Sequence, residues 1–308
     1  MIALILLCSF ALGPVLARLQ NSAKQSAVVP SPISPEKSTE GSRINRDPTL
    51  WERSVSENTR LANEMDWVFG GKHQFGWSLY SSLIAQKIGA GDAKPNTPEF
   101  AAAVAEWQRK NGVETNSGVV DLSTWTDIMQ AFQSQRIRDR QPSDQLVTIP
   151  IDDCYDETRE LELRKVDRTT YEAYKRMVAA ALIDLSKDAQ TAAESAQGNK
   201  FLKIISAYRS PEYQAELRRK SPNATSAALA VNSPHLTGRA LDIYVGGVPT
   251  STEDRNRAIQ VATPAYKWLV KNASRFGFQP YFYEPWHWEY NPQIETSEKA
   301  SSTKSDSR

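Results

Sequence analysis

Of the three histidines in this 308-residue chain, two stand in short segments that mix imidazole with carboxylate. One is Ser233-Pro-His-Leu-Thr-Gly-Arg-Ala-Leu-Asp-Ile-Tyr244, the other Glu284-Pro-Trp-His-Trp288. If the two act together, the fold must close the stretch between them into one site. Two imidazoles and one carboxylate, with a fourth position left to water, are the ligand set of a catalytic rather than a structural zinc ion. His235, Asp242 and His287 supply that set.

Local chemistry makes the meeting feasible. Residues 240–245 have strand composition, so Asp242 shares a face with Ala240 and Tyr244. Gly238 permits the bend that returns His235 over that face. Glu284 and His287 are three apart and would point to opposite faces of a regular strand. Pro285 resolves this by ending a loop before the strand that carries His287, which leaves Glu284 beside the ligands without being one. A carboxylate so placed can take a proton from metal-activated water. The competing reading is that a histidine among Trp286, Trp288 and Tyr290 is a satisfied core residue. That reading is the better one for either segment alone, whereas the pair, with its complementary ligand types and a spare carboxylate, favours a metal site.

His-x6-Asp followed by Glu-x-x-His, within Ser233-x-His235-x-x-Gly238-x-Ala240-x-Asp242 and Glu284-Pro285-Trp286-His287, resembles the zinc D-alanyl-D-alanine carboxypeptidases of the VanY type, peptidase family M15. The resemblance spans about residues 149–290. It implies His235, Asp242 and His287 as zinc ligands and Glu284 as general base. It also implies Arg209, in Tyr208-Arg209-Ser210, as the group that meets a substrate carbonyl or carboxylate, and Ser233 as a substrate-binding residue. Residues 100–125, with Val104 to Val113, Gly118-Val119-Val120 and Thr124-Trp125, are similar to the three-helix peptidoglycan-binding domain. Trp107 and Trp125 nevertheless read as core, and His73 as a solvated turn residue.

The remaining organisation follows from composition. Residues 1–17 are apolar and end in Val15-Leu16-Ala17, a small-residue cleavage pattern, though without Lys or Arg ahead of it; they read as a secretory signal or an anchor. Residues 18–64 read as a flexible linker, 65–134 as the helical domain, 135–148 as a hinge, 149–292 as the peptidase domain and 293–308 as a disordered tail. Within 65–134, apolar residues at helical spacing end at Gly89, Thr97-Pro98 opens a second helix, and a third runs through Trp125 and Phe132. Further on, a helix is expected over 167–196 and a strand over 201–207; Ser210-Pro211 and Thr263-Pro264 open helices, and residues 220–231 form a rim. The chain has two cysteines, and removal of a signal would leave only Cys154, so no disulfide is available. A net charge of +1 gives no reason to expect nucleic acid.

The expected fold class is therefore α+β: a peptidase domain with a small antiparallel sheet flanked by helices, preceded by a small three-helix domain. The expected protein is an exported monomer, in periplasm, cell wall or medium, with zinc and no other cofactor. Its expected substrate is the D-Ala-D-Ala end of peptidoglycan stem peptides, and its expected partner the cell-wall polymer. An endopeptidase, an L,D-carboxypeptidase and a non-catalytic wall-binding protein remain the alternatives.

Overall fold

The computed structural model describes residues 48–113, 115–186, 200–224 and 229–295. The expectations for 1–17, for most of the linker, for the far end of the 167–196 helix and for residues 296–308 of the tail lie outside these residues; residues 293–295, expected in the disordered tail, are helical, and Glu295 accepts from Arg176. Among the described residues no helix is long and apolar enough to cross a membrane.

The first lobe is built of α1 (Glu52–Glu64), a hairpin of β1 (Asp66–Phe69) and β2 (Lys72–Phe75), α2 (Ser81–Ile88), α3 (Pro98–Lys110) and α4 (Leu122–Ser134). The expected punctuation is present. Gly89 ends α2 in the left-handed region at φ 75°, and Thr97 caps α3 by accepting from the Phe100 amide at 3.3 Å. Trp77, Phe100, Trp125, Ile84 and Ile128 are fully buried. Each completely buried Phe or Ile contributes about 1.5–3 kcal/mol. Trp107 and Trp125 are core residues, as expected.

α1 corrects the linker assignment, since residues 52–64 are helical and not a tether. Its inward residues are Ser54, Asn58 and Ala62, at a spacing of four. Asn58 donates to the Gly118 carbonyl and accepts from the Val120 amide, each at 2.8 Å. A hydrophobic period cannot reveal a helix whose buried face is polar and satisfied by hydrogen bonds. Gly118 is obligatory at this junction. Its φ is 69°, and a Cβ would lie 2.7 Å from the Ala101 carbonyl oxygen and from the Trp51 ring.

The second lobe holds a two-stranded pairing of β3 (Leu146–Thr148) with β4 (Lys165–Asp167), and a four-stranded antiparallel sheet. The sheet order is β5 (Ile204–Ser206), β6 (Ala240–Ile243), β8 (His287–Tyr290), β7 (Phe278–Pro280). Every residue of the central strands β6 and β8 is buried. Around the sheet lie α5 (Arg168–Leu185), α6 (Pro211–Lys220), α7 (Asp254–Ala262) and α8 (Pro264–Asn272). Asp167, Ser210 and Thr263 cap α5, α6 and α8, and proline occupies the first turn of α6 and α8.

Residues 135–148 are not a free hinge. Leu146–Thr148 is strand β3, and the side chain of Arg136 and the amide of Ile137 bind Glu289 of β8. The two lobes share one apolar core. Phe282, in the loop before β8, meets Phe69, Tyr80, Trp125 and Phe132 at centroid distances of 4.8, 5.7, 5.9 and 6.5 Å. Arg257 of α7, itself fully buried, donates to the Tyr80 hydroxyl, the Gln74 side-chain carbonyl and the Tyr283 backbone carbonyl. The seam therefore runs directly beneath the loop that carries Glu284.

Candidate active site

The antiparallel register of β6 and β8 places Asp242 directly opposite His287. Facing residues in such a pair sit within side-chain reach, and the Asp242 Oδ1 to His287 Nδ1 distance is 3.0 Å. His235 arrives from the other side on a 3-10 turn, Pro234–Thr237, capped by Ser233, whose Oγ accepts from the His235 amide at 3.3 Å. Gly238 then reverses the chain into β6 at φ 75°, where a Cβ would press on the Leu146 side chain at 2.8 Å and the Asp167 amide at 3.0 Å. The local bend expected at Gly238 and the turn expected at Pro285 are both present. The latter is closed by the Glu284 amide to the Tyr281 carbonyl, the His287 amide to the Glu284 carbonyl, and the Trp288 indole to the Pro285 carbonyl.

Three ligand-type atoms converge. His235 Nε2 lies 3.2 Å from both Asp242 Oδ1 and His287 Nδ1, which closes a triangle with the 3.0 Å edge already given. The outer nitrogens fix the tautomers. His235 Nδ1 is 2.6 Å from the Ala207 carbonyl, which can only accept, and His287 Nε2 is 3.2 Å from a Glu289 carboxylate oxygen. Both outer nitrogens therefore donate, and in the neutral rings both inner nitrogens present lone pairs to each other and to the carboxylate. Three lone pairs at this spacing repel unless a cation lies among them. Bonds of about 2.0–2.2 Å in a tetrahedral arrangement separate ligand atoms by about 3.3 Å, so the observed edges suit a zinc-sized ion. Among the described residues this is the one His/Cys/Asp/Glu group with such convergence, and all three members are buried.

The electrostatics carry the same demand for positive charge. Burial and the Arg209 guanidinium push His235 down to about 4. Burial also opposes the charged form of His287, but its bonds to Asp242 and Glu289 outweigh it and raise this ring to about 9. The two imidazoles share Asp242 yet move in opposite directions, because burial and the Arg209 guanidinium disfavour charge on His235 while Glu289 gives His287 a second carboxylate partner. Burial works against the Asp242 charge as well, but the neighbouring His235 and Arg209 hold its carboxyl well below the usual range.

Glu284 stands next to the triangle without belonging to it. One of its carboxylate oxygens is 4.0 Å from His287 Nδ1, and burial pushes its pKa up to about 8. Arg209, just past the end of β5, donates from Nε to the Ser206 hydroxyl oxygen at 3.0 Å and from Nη2 to Asp242 Oδ2. All six expected site residues, His235, Asp242, His287, Glu284, Arg209 and Ser233, line one cavity of about 410 Å³. Arg136, Gln214, Ala230, Tyr281 and Trp286 are among its other wall residues. The expected rim is partly described: Leu229 and Ala230 border the cavity, while residues 225–228 lie outside the described set. His73 is far less enclosed, on the exposed face of the β1–β2 hairpin.

Two polar partners were not anticipated. Glu289 accepts from His287, Arg136 and Ile137, and these bonds outweigh its burial and bring its carboxyl down to about 2. Its position two residues after His287 on a strand put it on the ligand face and was a usable signal. Arg136, distant in the chain, left no signal in the spacing.

A buried His-Asp-His triangle with a carboxylate beside it, in a cleft on an antiparallel sheet, is a group of side chains that could hold a metal ion. Residues 164–293 match the family "VanY: D-alanyl-D-alanine carboxypeptidase", and this part of the chain is a VanY-type peptidase domain of family M15. Among solved structures, the LdcB LD-carboxypeptidase, reported as revealing the molecular basis of peptidoglycan recognition, is 24% identical over 48% of this chain and 69% of its own, with a TM-score of 0.31. No curated protein matches the chain.

Proposed function

We propose that the protein is a zinc-dependent D-alanyl-D-alanine carboxypeptidase that removes the terminal D-Ala from peptidoglycan stem peptides. The observation that carries this reading is the triangle of converging His235, Asp242 and His287 ligand atoms with the Glu284 carboxylate adjacent to it in the same cavity. His235, Asp242 and His287 would hold the metal. Zinc bound there supplies Lewis-acid polarisation of a carbonyl and lowers the pKa of water.

The chain's own groups do the rest. Glu284, adjacent to the triangle in the same cavity, accepts a proton from the attacking water at a carboxylate oxygen and returns it to the leaving amine. Arg209 is anchored at Ser206 and Asp242, so its guanidinium faces the cavity from a fixed position, suited to a substrate carboxylate or a developing oxyanion. Ser233 sits at the cavity wall, where its hydroxyl can orient the peptide. Burial of the whole cluster excludes bulk water and strengthens each of these interactions. Residues 1–17 would direct export, and the helical lobe would face the wall polymer.

The test is product analysis with stem tetra- and pentapeptides, with and without a chelator. Chelator-sensitive release of a single D-Ala from the pentapeptide is the expected result. Release from the tetrapeptide alone would replace this reading with an L,D-carboxypeptidase. No release from either peptide by protein with confirmed bound zinc would overturn the exopeptidase reading and direct attention to cross-linked wall fragments.

A further inference from the structure

We propose that Arg136, which enters from the end of α4, is a positioning residue of the metal site that acts through Glu289 to hold His287. The inference rests on the metal reading above. Arg136 lies just past Ser134, the last residue of α4, and so is delivered by the helical lobe to a strand of the sheet lobe. Its Nε and Nη2 donate to Glu289 Oε1 at 2.8 and 2.6 Å. The Ile137 amide, the next residue along the same segment, donates to Oε2 at 2.7 Å. The fourth donor to this carboxylate is His287 Nε2, at 3.2 Å.

Glu289 is thus clamped on one side by the segment leaving α4 and on the other grips a ligand ring. A ligand histidine whose outer N–H is held by a carboxylate is fixed in both tautomer and rotation. Here the carboxylate itself is fixed by a guanidinium that lies over Tyr281, its Cζ 3.9 Å from the ring centroid. Tyr281 in turn donates its backbone amide to the His287 carbonyl at 3.0 Å, so the stacked pair brackets the same residue through its main chain. Glu289 is only 2% exposed, and removing the guanidinium would take away two of its four N–H donors with little water to replace them. The helical lobe therefore completes the metal site, a role distinct from any contact it makes with polymer.

The test uses the full chain and the variants Arg136→Ala, Arg136→Lys, Glu289→Gln and the Arg136→Ala/Glu289→Gln pair. Zinc affinity is measured by competition with a chromophoric chelator, ligand geometry from the visible spectrum of the cobalt(II) form, and integrity of the fold from thermal unfolding of the metal-free protein. Expected are a 10–100-fold weakening of zinc binding in Arg136→Ala with an altered cobalt spectrum, a smaller loss in Arg136→Lys, and a double variant no weaker than Glu289→Gln alone. Wild-type affinity and spectrum in Arg136→Ala, with only a raised KM or a lowered Tm, would overturn the inference and make Arg136 a substrate contact or a packing residue. Additive losses in the double variant would overturn it too. Failure of the unaltered protein to bind zinc would remove the metal reading itself.

Discussion

The β1–β2 hairpin and the β6–β8 pair each bring a histidine Nδ1 to 3.0 Å from an aspartate Oδ1. Residue types, atom types, distance and antiparallel setting are the same. His73 and Asp66, however, are 68% and 58% exposed, a diagonal pair across the hairpin, whereas His287 and Asp242 are 4% and 2% exposed and directly opposed. The exposed pair trades one hydrated arrangement for another and contributes little. The buried pair has given up water, so each of its atoms must be answered by the protein or by a bound cation. Contact distance does not distinguish a site from a surface ornament; the donors assigned to the outer atoms do.

The contrast breaks most clearly at Asp242. In Asp242→Asn the Arg209 guanidinium loses its buried counter-charge and the triangle loses its anionic corner. The expected outcome is a protein that retains no metal after dialysis, has no measurable turnover, and is destabilised by about 3–5 kcal/mol in chemical denaturation. Retained metal would dissolve the distinction between the two pairs.

Glu284→Gln separates holding a metal from using it. Turnover should fall by about 10²–10⁴-fold while metal content stays at the wild-type level, read by activity assay beside elemental analysis. Loss of metal in this variant would make Glu284 a ligand.

Asp167 is a third case, a buried carboxylate satisfied by Ser143, Thr169 and Thr170 and not by imidazole. Burial by itself would raise its carboxyl, but those hydrogen bonds prevail and hold it below the usual value. Its folded pKa is thus depressed, so its stabilisation is present above the unfolded value of about 3.9 and is lost as pH falls through the folded value. Asp167→Ala should cost about 1 kcal/mol at neutral pH, with the gap to wild type closing below about pH 4 and bound metal unchanged. A gap independent of pH would show that packing, not the charge, is what Asp167 contributes.

The smallest effect is expected at the exposed pair. His73→Ala should change stability by no more than about 0.5 kcal/mol and leave metal content and turnover untouched. A loss of metal there would mean that exposure is no guide to function in this protein.

Much of this was legible in residue order, for reasons that are local. Thr97-Pro98, Ser210-Pro211 and Thr263-Pro264 open helices because cap and proline act within one turn. The strand composition of residues 240–245, Gly238 and Pro285 dictate a strand, a bend and a turn through local backbone preferences, and so place the carboxylate and both imidazoles. What escaped depends on partners remote in the chain. α1 buries Ser54 and Asn58, whose helical setting is stabilised by loop carbonyls and amides around residues 117–120 and not by any hydrophobic period. The segment expected to be a hinge becomes a strand and a clamp because Glu289 and β4 bind it.

By itself the sequence determined the candidate ligand set, the carboxylate beside it and the turns that present them, since side-chain chemistry and backbone propensity act over a few residues. Only the tertiary structure decided which histidine–aspartate pair would be stripped of water, which tautomers the rings adopt, and that Arg136 would reach Glu289. Those outcomes follow from burial and long-range hydrogen bonding, which arise only where segments remote in the chain pack together.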